Sequence, residues 1–221
     1  MSFKKYKINK SLRVNIIYVL LYLLLGGIAG TLCSLYTAAS LNNSSAEPAY
    51  IPYFSPKGGC TAAIVKEIEA AEKQIYMQAY SFTSKAIGDA LCAAEKRGVK
   101  LCILVDQEQY AQKRAAQIDR LNGSNTFRYI SKKSGLAHIK TLVVDNKSFL
   151  VGSFNMDENA EHINRENLLY VHGDSEACQQ VIDNCIQNCQ KALSYDKYQK
   201  KRKTLSKNLR KGAKRSNPNL H

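Results

Sequence analysis

The chain has 221 residues, 45% of them hydrophobic, with seven cysteines, four histidines and a formal net charge of +14. That hydrophobic share is ordinary for a globular protein, and the length left once the two ends are set aside holds one domain with a full core. Residues 46–195 carry 17 basic and 17 acidic side chains, whereas residues 1–45 and 197–221 carry five and ten basic ones and no acid. By count this excludes a generally basic nucleic-acid surface on the body of the chain.

Residues 1–13 are basic, and residues 14–36 then run without a charge. That run is long enough to cross a bilayer as a helix. Positive charge before it and none after it places the N-terminus in the cytoplasm and the domain outside, in a periplasm. A cleaved signal peptide is the alternative, with Thr37-Ala38-Ala39 before the cut and a secreted product. The length of the run favours an anchor. Residues 37–50 form a polar linker of small residues.

The domain proper spans residues 51–195. Residues 51–54 open it as a strand, and residues 55–59 are a loop. Ile64, Val65, Ile68 and Ala71 recur at helical spacing, which predicts a helix over residues 60–73. Residues 75–82 form a strand. Ser84 caps a helix running to Arg97, with Gly98 just past its end. Residues 99–105 are apolar enough for a buried parallel strand. A helix follows over residues 108–121, broken by Asn122-Gly123-Ser124-Asn125. Residues 126–130 are a strand, and so are residues 167–172. Between those two strands, residues 156–165 are polar and acidic: a solvated connection, or the border of a substrate cleft. Asp174 or Ser175 caps a closing helix to about Tyr195. Strand and helix alternate, so the fold class is α/β, a layered domain with helices on both faces of a mixed sheet. No internal repeat is visible.

No C-x-x-C and no zinc-ligand spacing occurs among Cys33, Cys60, Cys92, Cys102, Cys178, Cys185 and Cys189, so no metal site is expected. Cys92 and Cys102 lie on apolar faces, and Cys178, Cys185 and Cys189 fall near one face of the closing helix. Packing is the favoured role, with one disulfide as the alternative for an exported domain. Residues 196–221 are a basic tail, expected to be disordered or loosely helical. It suits an anionic surface, binds nucleic acid non-specifically, or simply solubilises the chain.

Residues 138–155 carry the pattern H-x-K-x4-D-x6-G-S-x-N, made by His138, Lys140, Asp145, Gly152, Ser153 and Asn155. Spacing by two places His138 and Lys140 on one face of an extended strand. Leu142, Val143 and Val144 continue it, residues 145–148 turn, and residues 149–151 return. The return brings Gly152-Ser153-Phe154-Asn155 toward His138. A fixed positive charge, a hydroxyl and a carboxamide around an imidazole suit a bound phosphate. A lone strand histidine is more often structural, but six matched positions argue against accident.

This segment resembles the HKD signature of the phospholipase D superfamily. The resemblance spans about residues 53–193, including residues 54–58 (FSPKG) and 75–80 (IYMQAY), and is strongest to the short, single-motif bacterial members. It implies a covalent phosphohistidine mechanism with no metal or other cofactor. His138 is then the nucleophile, and Lys140 and Asn155 bind the non-bridging phosphate oxygens. Ser153 supports the site by hydrogen bonding, Glu166 orients His138, and Asp145 mainly supports the fold. A second histidine must protonate the leaving group, yet neither His162, His172 nor His221 is followed two residues later by lysine. The family solution is a homodimer that shares one site. A phospholipid head-group ester is the favoured substrate, on the strength of the membrane segment, the neutral body and the basic tail. Nucleic acid is the alternative. A binding module with a dead site is a third reading, opposed by the intact signature.

Overall fold

The computed structural model describes residue 26, residues 48–132 and residues 135–216, the last with side chains to residue 206. The expected leader over residues 14–36, residue 26 apart, therefore lies outside the described residues. Among the described residues no helix is long and apolar enough to cross a membrane.

Eight strands form one mixed sheet. They are β1 (Ala49–Phe54), β2 (Gln74–Ala79), β3 (Lys100–Val105), β4 (Thr126–Ile130), β5 (Thr141–Val144), β6 (Ser148–Gly152), β7 (Asn167–His172) and β8 (Leu193–Ser194), in the spatial order β1-β7-β6-β5-β2-β3-β4-β8. β2, β3 and β4 are parallel, and every other pairing is antiparallel. Parallel neighbours need a crossover, which α1 (Cys60–Ala70) precedes and α2 (Lys85–Lys96) supplies.

Alternation along β3 shows how the layers are built. Leu101, Ile103 and Val105 join the main core with Ile64 and Ile68 of α1 and Ile87 and Leu91 of α2. Cys102 and Leu104 point the other way, onto Cys185 and Cys189 of the closing helix α5 (Ser175–Lys191). Successive strand residues face opposite sides, so one apolar run feeds two layers, and helices cover both faces. Asp174 caps α5 as expected, accepting the Ala177 N–H at 2.8 Å.

Several boundaries differ from the sequence expectation. His138 and Lys140 precede the strand, because β5 begins at Thr141. The helix expected over residues 108–121 is broken into α3 (Gln107–Ala111) and a 3-10 turn (Ala116–Arg120). The cause is the neighbouring chain. Phe82 donates its N–H to Arg114 O at 2.7 Å and accepts the Gln117 N–H at 3.3 Å, and Lys113 takes φ +63° to make that turn. Those bonds to the exit of β2 outcompete a continuous helical ladder. The closing helix stops at Lys191, and β8 then pairs with the edge of β4. The basic tail is helical over α6 (Tyr195–Ser216), following the short α4 (Glu158–His162) and α5 in chain order. Tyr195 and Tyr198 of α6 pack on the core.

Candidate active site

The hairpin β5–β6 is built by its turn. Asp145 and Asn146 adopt φ +54° and +56°, a left-handed conformation that Asp and Asn tolerate better than other residues with a Cβ. The Asp145 oxygens accept the N–H groups of Glu72, Lys73 and Gln74, each at 2.8 Å. Burial pushes this carboxyl up, but the three backbone donors outweigh it and hold the group below the usual range. Asp145 thus locks the α1–β2 connection to the hairpin tip, at the opposite end of β5 from Lys140.

The returning strand ends at Gly152. A Cβ there would stand 2.1 Å from the Asn167 carbonyl oxygen, so only glycine lets β6 close onto β7. The next two N–H groups, of Ser153 and Phe154, both donate to that same oxygen, at 3.1 and 3.3 Å. The close approach in Gly-Ser-x-Asn is thus to the protein's own backbone. It folds the chain over so that Ser153 and Asn155 return toward Lys140.

Lys140 is 5% exposed. Its Nζ donates to the His138 carbonyl at 3.2 Å and lies 5.0 Å over the Tyr80 ring. Burial pulls its pKa down, and the nearby Glu166 and Asp157 carboxylates push back. Among the described residues this is its one bond, so two of its three N–H donors are left to spend on a ligand. The His138 ring is exposed and meets the same Tyr80 edge-on, with centroids 4.5 Å apart. Asn155 lies with Tyr80 on a cavity of about 330 Å³, and among the described residues its buried Oδ1 accepts no hydrogen bond. Such an orphaned acceptor calls for a donor, which a water or a hydroxyl in the cavity can supply, leaving the Asn155 Nδ2 donor for an anion. Tyr80 is therefore the common neighbour of His138 and Lys140, and it shares a cavity wall with Asn155.

Ser153 and Glu166 are hydrogen-bonded to each other. The Ser153 hydroxyl donates to Glu166 Oε2 and accepts the Asn167 N–H at 3.1 Å. The other Glu166 oxygen accepts Asn164 Nδ2 at 3.1 Å. Among the described residues, the carboxylate expected to orient His138 makes these two bonds and none to the imidazole. Its backbone is tied to the 55–59 loop, where Ser55 Oγ accepts the Glu166 N–H at 3.1 Å and donates to Asn164 O at 3.0 Å.

Sequence reasoning missed four supports. Tyr80 ends the resembling stretch 75–80 and carries no signal of its own in the sequence. Its hydroxyl accepts Gln109 Nε2 at 2.9 Å. Asp106, 2% exposed, accepts the N–H groups of Glu108 and Gln109 and that of Ala137 at 3.0 Å, fixing the chain next to His138. An Asp closing an apolar strand before a helix is the signal that was available. Arg114 adds a cationic side chain to the cavity wall. Glu161, 8% exposed, accepts the Thr61 N–H at 2.7 Å and the Gly59 N–H at 3.3 Å and so caps α1. Asp157, Glu158 and Asn159 line the cavity, so the 156–165 segment does border the cleft.

An imidazole, a buried ammonium and a carboxamide are the set of groups that suits a phosphoryl group. The comparisons with known proteins agree. Residues 64–189 match the family described as cardiolipin synthase, PLD-like domain, and the chain belongs to this phospholipase D-like family of phosphodiesterases. It is 37% identical over 133 residues to phospholipase D of Rickettsia conorii, covering 60% of this chain and 66% of that relative. The match thus spans just under two thirds of the relative's length. It is 27% identical over 143 residues to the human mitochondrial cardiolipin hydrolase, covering 62% of this chain and 56% of that protein. Among solved structures, Nuc of Salmonella typhimurium, a phospholipase D family member, superposes with a TM-score of 0.64 at 28% identity. That fit covers 67% of this chain and 99% of Nuc.

Proposed function

We propose that the chain is a phosphodiester hydrolase of the phospholipase D type that cleaves a phospholipid head-group ester through a covalent phosphohistidine. The observation that carries this reading is Lys140: a buried ammonium with donors to spare, bonded to the His138 backbone and lying over the Tyr80 ring that lines a cavity with Asn155. A phosphodiester anion answers the Lys140 charge and accepts its spare N–H groups, and Asn155 meets it through the Nδ2 donor, not through Oδ1. Lys140 and Asn155 bind its non-bridging oxygens, and Ser153 supports the site by hydrogen bonding. Glu166 orients the imidazole once substrate and partner are in place.

In the first step a His138 ring nitrogen attacks phosphorus and the P–O bond to the head group breaks. The leaving alkoxide takes a proton from a second imidazole. In the second step that imidazole removes a proton from water, the hydroxide displaces His138, and phosphatidic acid leaves. The second imidazole is His138 of a partner copy across a two-fold axis. Within the chain, His172 closes β7 at the hairpin-turn end of the sheet, and His162 pairs with Glu158 at 3.3 Å. Leu136 and Ile163, 60% and 70% exposed, are apolar residues left uncovered near the site, as a partner surface requires.

The lipid preference is supported by the similarity to phospholipase D of Rickettsia conorii and by the uncharged run over residues 14–36. That run anchors the domain outside the cytoplasm, and the basic tail serves an anionic surface. Nucleic acid is the second reading, favoured by the fit to nearly the whole of Nuc. Full-length protein in detergent is incubated with phosphatidylcholine vesicles and with plasmid DNA, each with EDTA present. Release of choline in EDTA is the expected result. Cleavage of DNA alone overturns the lipid preference, and loss of all turnover in EDTA overturns the metal-independent mechanism.

A further inference from the structure

On the face of the sheet covered by α5, three thiols meet. The sulfurs of Cys102, Cys185 and Cys189 all lie within 4.8 Å of one another, and those of Cys102 and Cys189 are 3.7 Å apart. All three residues are buried, at 9%, 1% and 6% exposure. Cys185 and Cys189 are four apart on one face of α5, and Cys102 rises from β3 to meet them. The ring-lined pocket around them holds Leu104, Tyr76, Tyr129 and Ala192.

We propose that Cys102, Cys185 and Cys189 form a three-sulfur binding site for a thiophilic d10 cation, zinc or monovalent copper, which clamps α5 to β3. Three thiolates around one such ion at about 2.3 Å stand about 3.8–4.0 Å apart. The cluster already has that spacing to within a few tenths of an ångström at its measured pair. Soft sulfur ligands select these ions over magnesium or calcium. A disulfide uses only two of the three sulfurs and strands the third in an apolar pocket, whereas an ion uses all of them. Binding breaks three S–H bonds, forms three sulfur–metal bonds and releases three protons to solvent. With a dication the site keeps one negative charge, offset by Lys100 two residues before Cys102 on the same face of β3. The spacing along the chain hid the site, because Cys102 is 87 positions from Cys189.

The test uses the full-length chain in detergent, kept reduced by a phosphine and titrated separately with zinc, cadmium and monovalent copper. The expected result is one ion retained per chain after desalting, with a sulfur-to-cadmium charge-transfer band. Cys102, Cys185 and Cys189, mapped by mass spectrometry, become protected from alkylation together. Cys102→Ser and Cys189→Ser each weaken binding about tenfold or more, while Cys92→Ser does not. Cys102→Ser retains phosphodiesterase turnover in EDTA, which separates this site from the reaction. The proposal is overturned if no ion is retained or if the three thiols alkylate as fast with metal as without. It is equally overturned if the unreduced chain has lost two hydrogens from a Cys102–Cys189 bond. Mapping on the wild-type chain decides the matter even if a serine variant misfolds.

Discussion

Asp145 belongs to the signature, yet its geometry assigns it to stability. Replacing it with asparagine preserves a residue that tolerates φ +54°. The remaining oxygen can still accept Lys73 and Gln74, which share Oδ1, but the new amide nitrogen faces the Glu72 N–H, which now bonds Oδ2. A hydrogen bond to a charged acceptor contributes about 1.5–3 kcal/mol and a neutral one about 1 kcal/mol. One bond lost and two weakened give about 3 kcal/mol before solvent is counted. The Glu72 and Lys73 bonds are exposed, so water recovers part, and the net loss is about 2 kcal/mol. For a chain of this size the melting temperature then falls by about 4–8 °C. Asp145→Ala loses all three bonds and puts alanine at positive φ, for about 3–4 kcal/mol. The carboxyl is held below its unfolded pKa of about 4. Its contribution is therefore present above that pH and disappears as pH falls through the lower folded value, so wild type and Asp145→Asn converge in acid. Thermal unfolding by circular dichroism, repeated across pH, reads this directly. Turnover well below the transition stays within about twofold of wild type. An Asp145→Asn enzyme with an unchanged melting temperature and turnover down about a hundredfold refutes the assignment.

Lys140→Gln removes the charge that meets phosphate, so kcat/KM falls by about 10²–10³-fold. Its burial already penalises the charged form, so thermal stability holds or rises. Tyr80→Ala removes the ring shared by His138 and Lys140 and lowers kcat by about tenfold, measured by head-group release. Tyr80→Phe keeps the ring and loses only the Gln109 bond, so its kcat stays within about threefold. Gly152→Ala drives a Cβ into the Asn167 backbone oxygen at 2.1 Å, which cannot swing aside. Urea unfolding should show a loss of about 2–3 kcal/mol, and a wild-type midpoint contradicts the close approach.

Much of this was legible in the chain. Periodicity placed β3, α1 and α2 to within a few residues, because each has a buried run or stripe that a local window detects. The hairpin turn was legible from Asp145-Asn146, whose chemistry is local. What escaped was set by long-range partners. Nothing near residues 108–121 says that Phe82 will pull Arg114 and Gln117 out of a helix. β8 is two residues long and exists because the β4 edge accepts it. The signature located His138, Lys140 and Asn155, but not the ring that His138 and Lys140 share, since Tyr80 is 58 positions before His138. Glu161 looked like loop acid and proved to be a buried cap. The three thiols lie on two elements whose contact only the folded sheet provides.

The central claim is that the His138 ring forms a bond to phosphorus. Acid quenching of the full-length enzyme during turnover of phosphorus-labelled phospholipid, followed by peptide mapping, tests it most directly. Label should be recovered on His138, acid-labile and stable in base, and be absent from a folded His138→Asn variant. Label on another residue, or turnover by His138→Asn with no covalent species, contradicts the account.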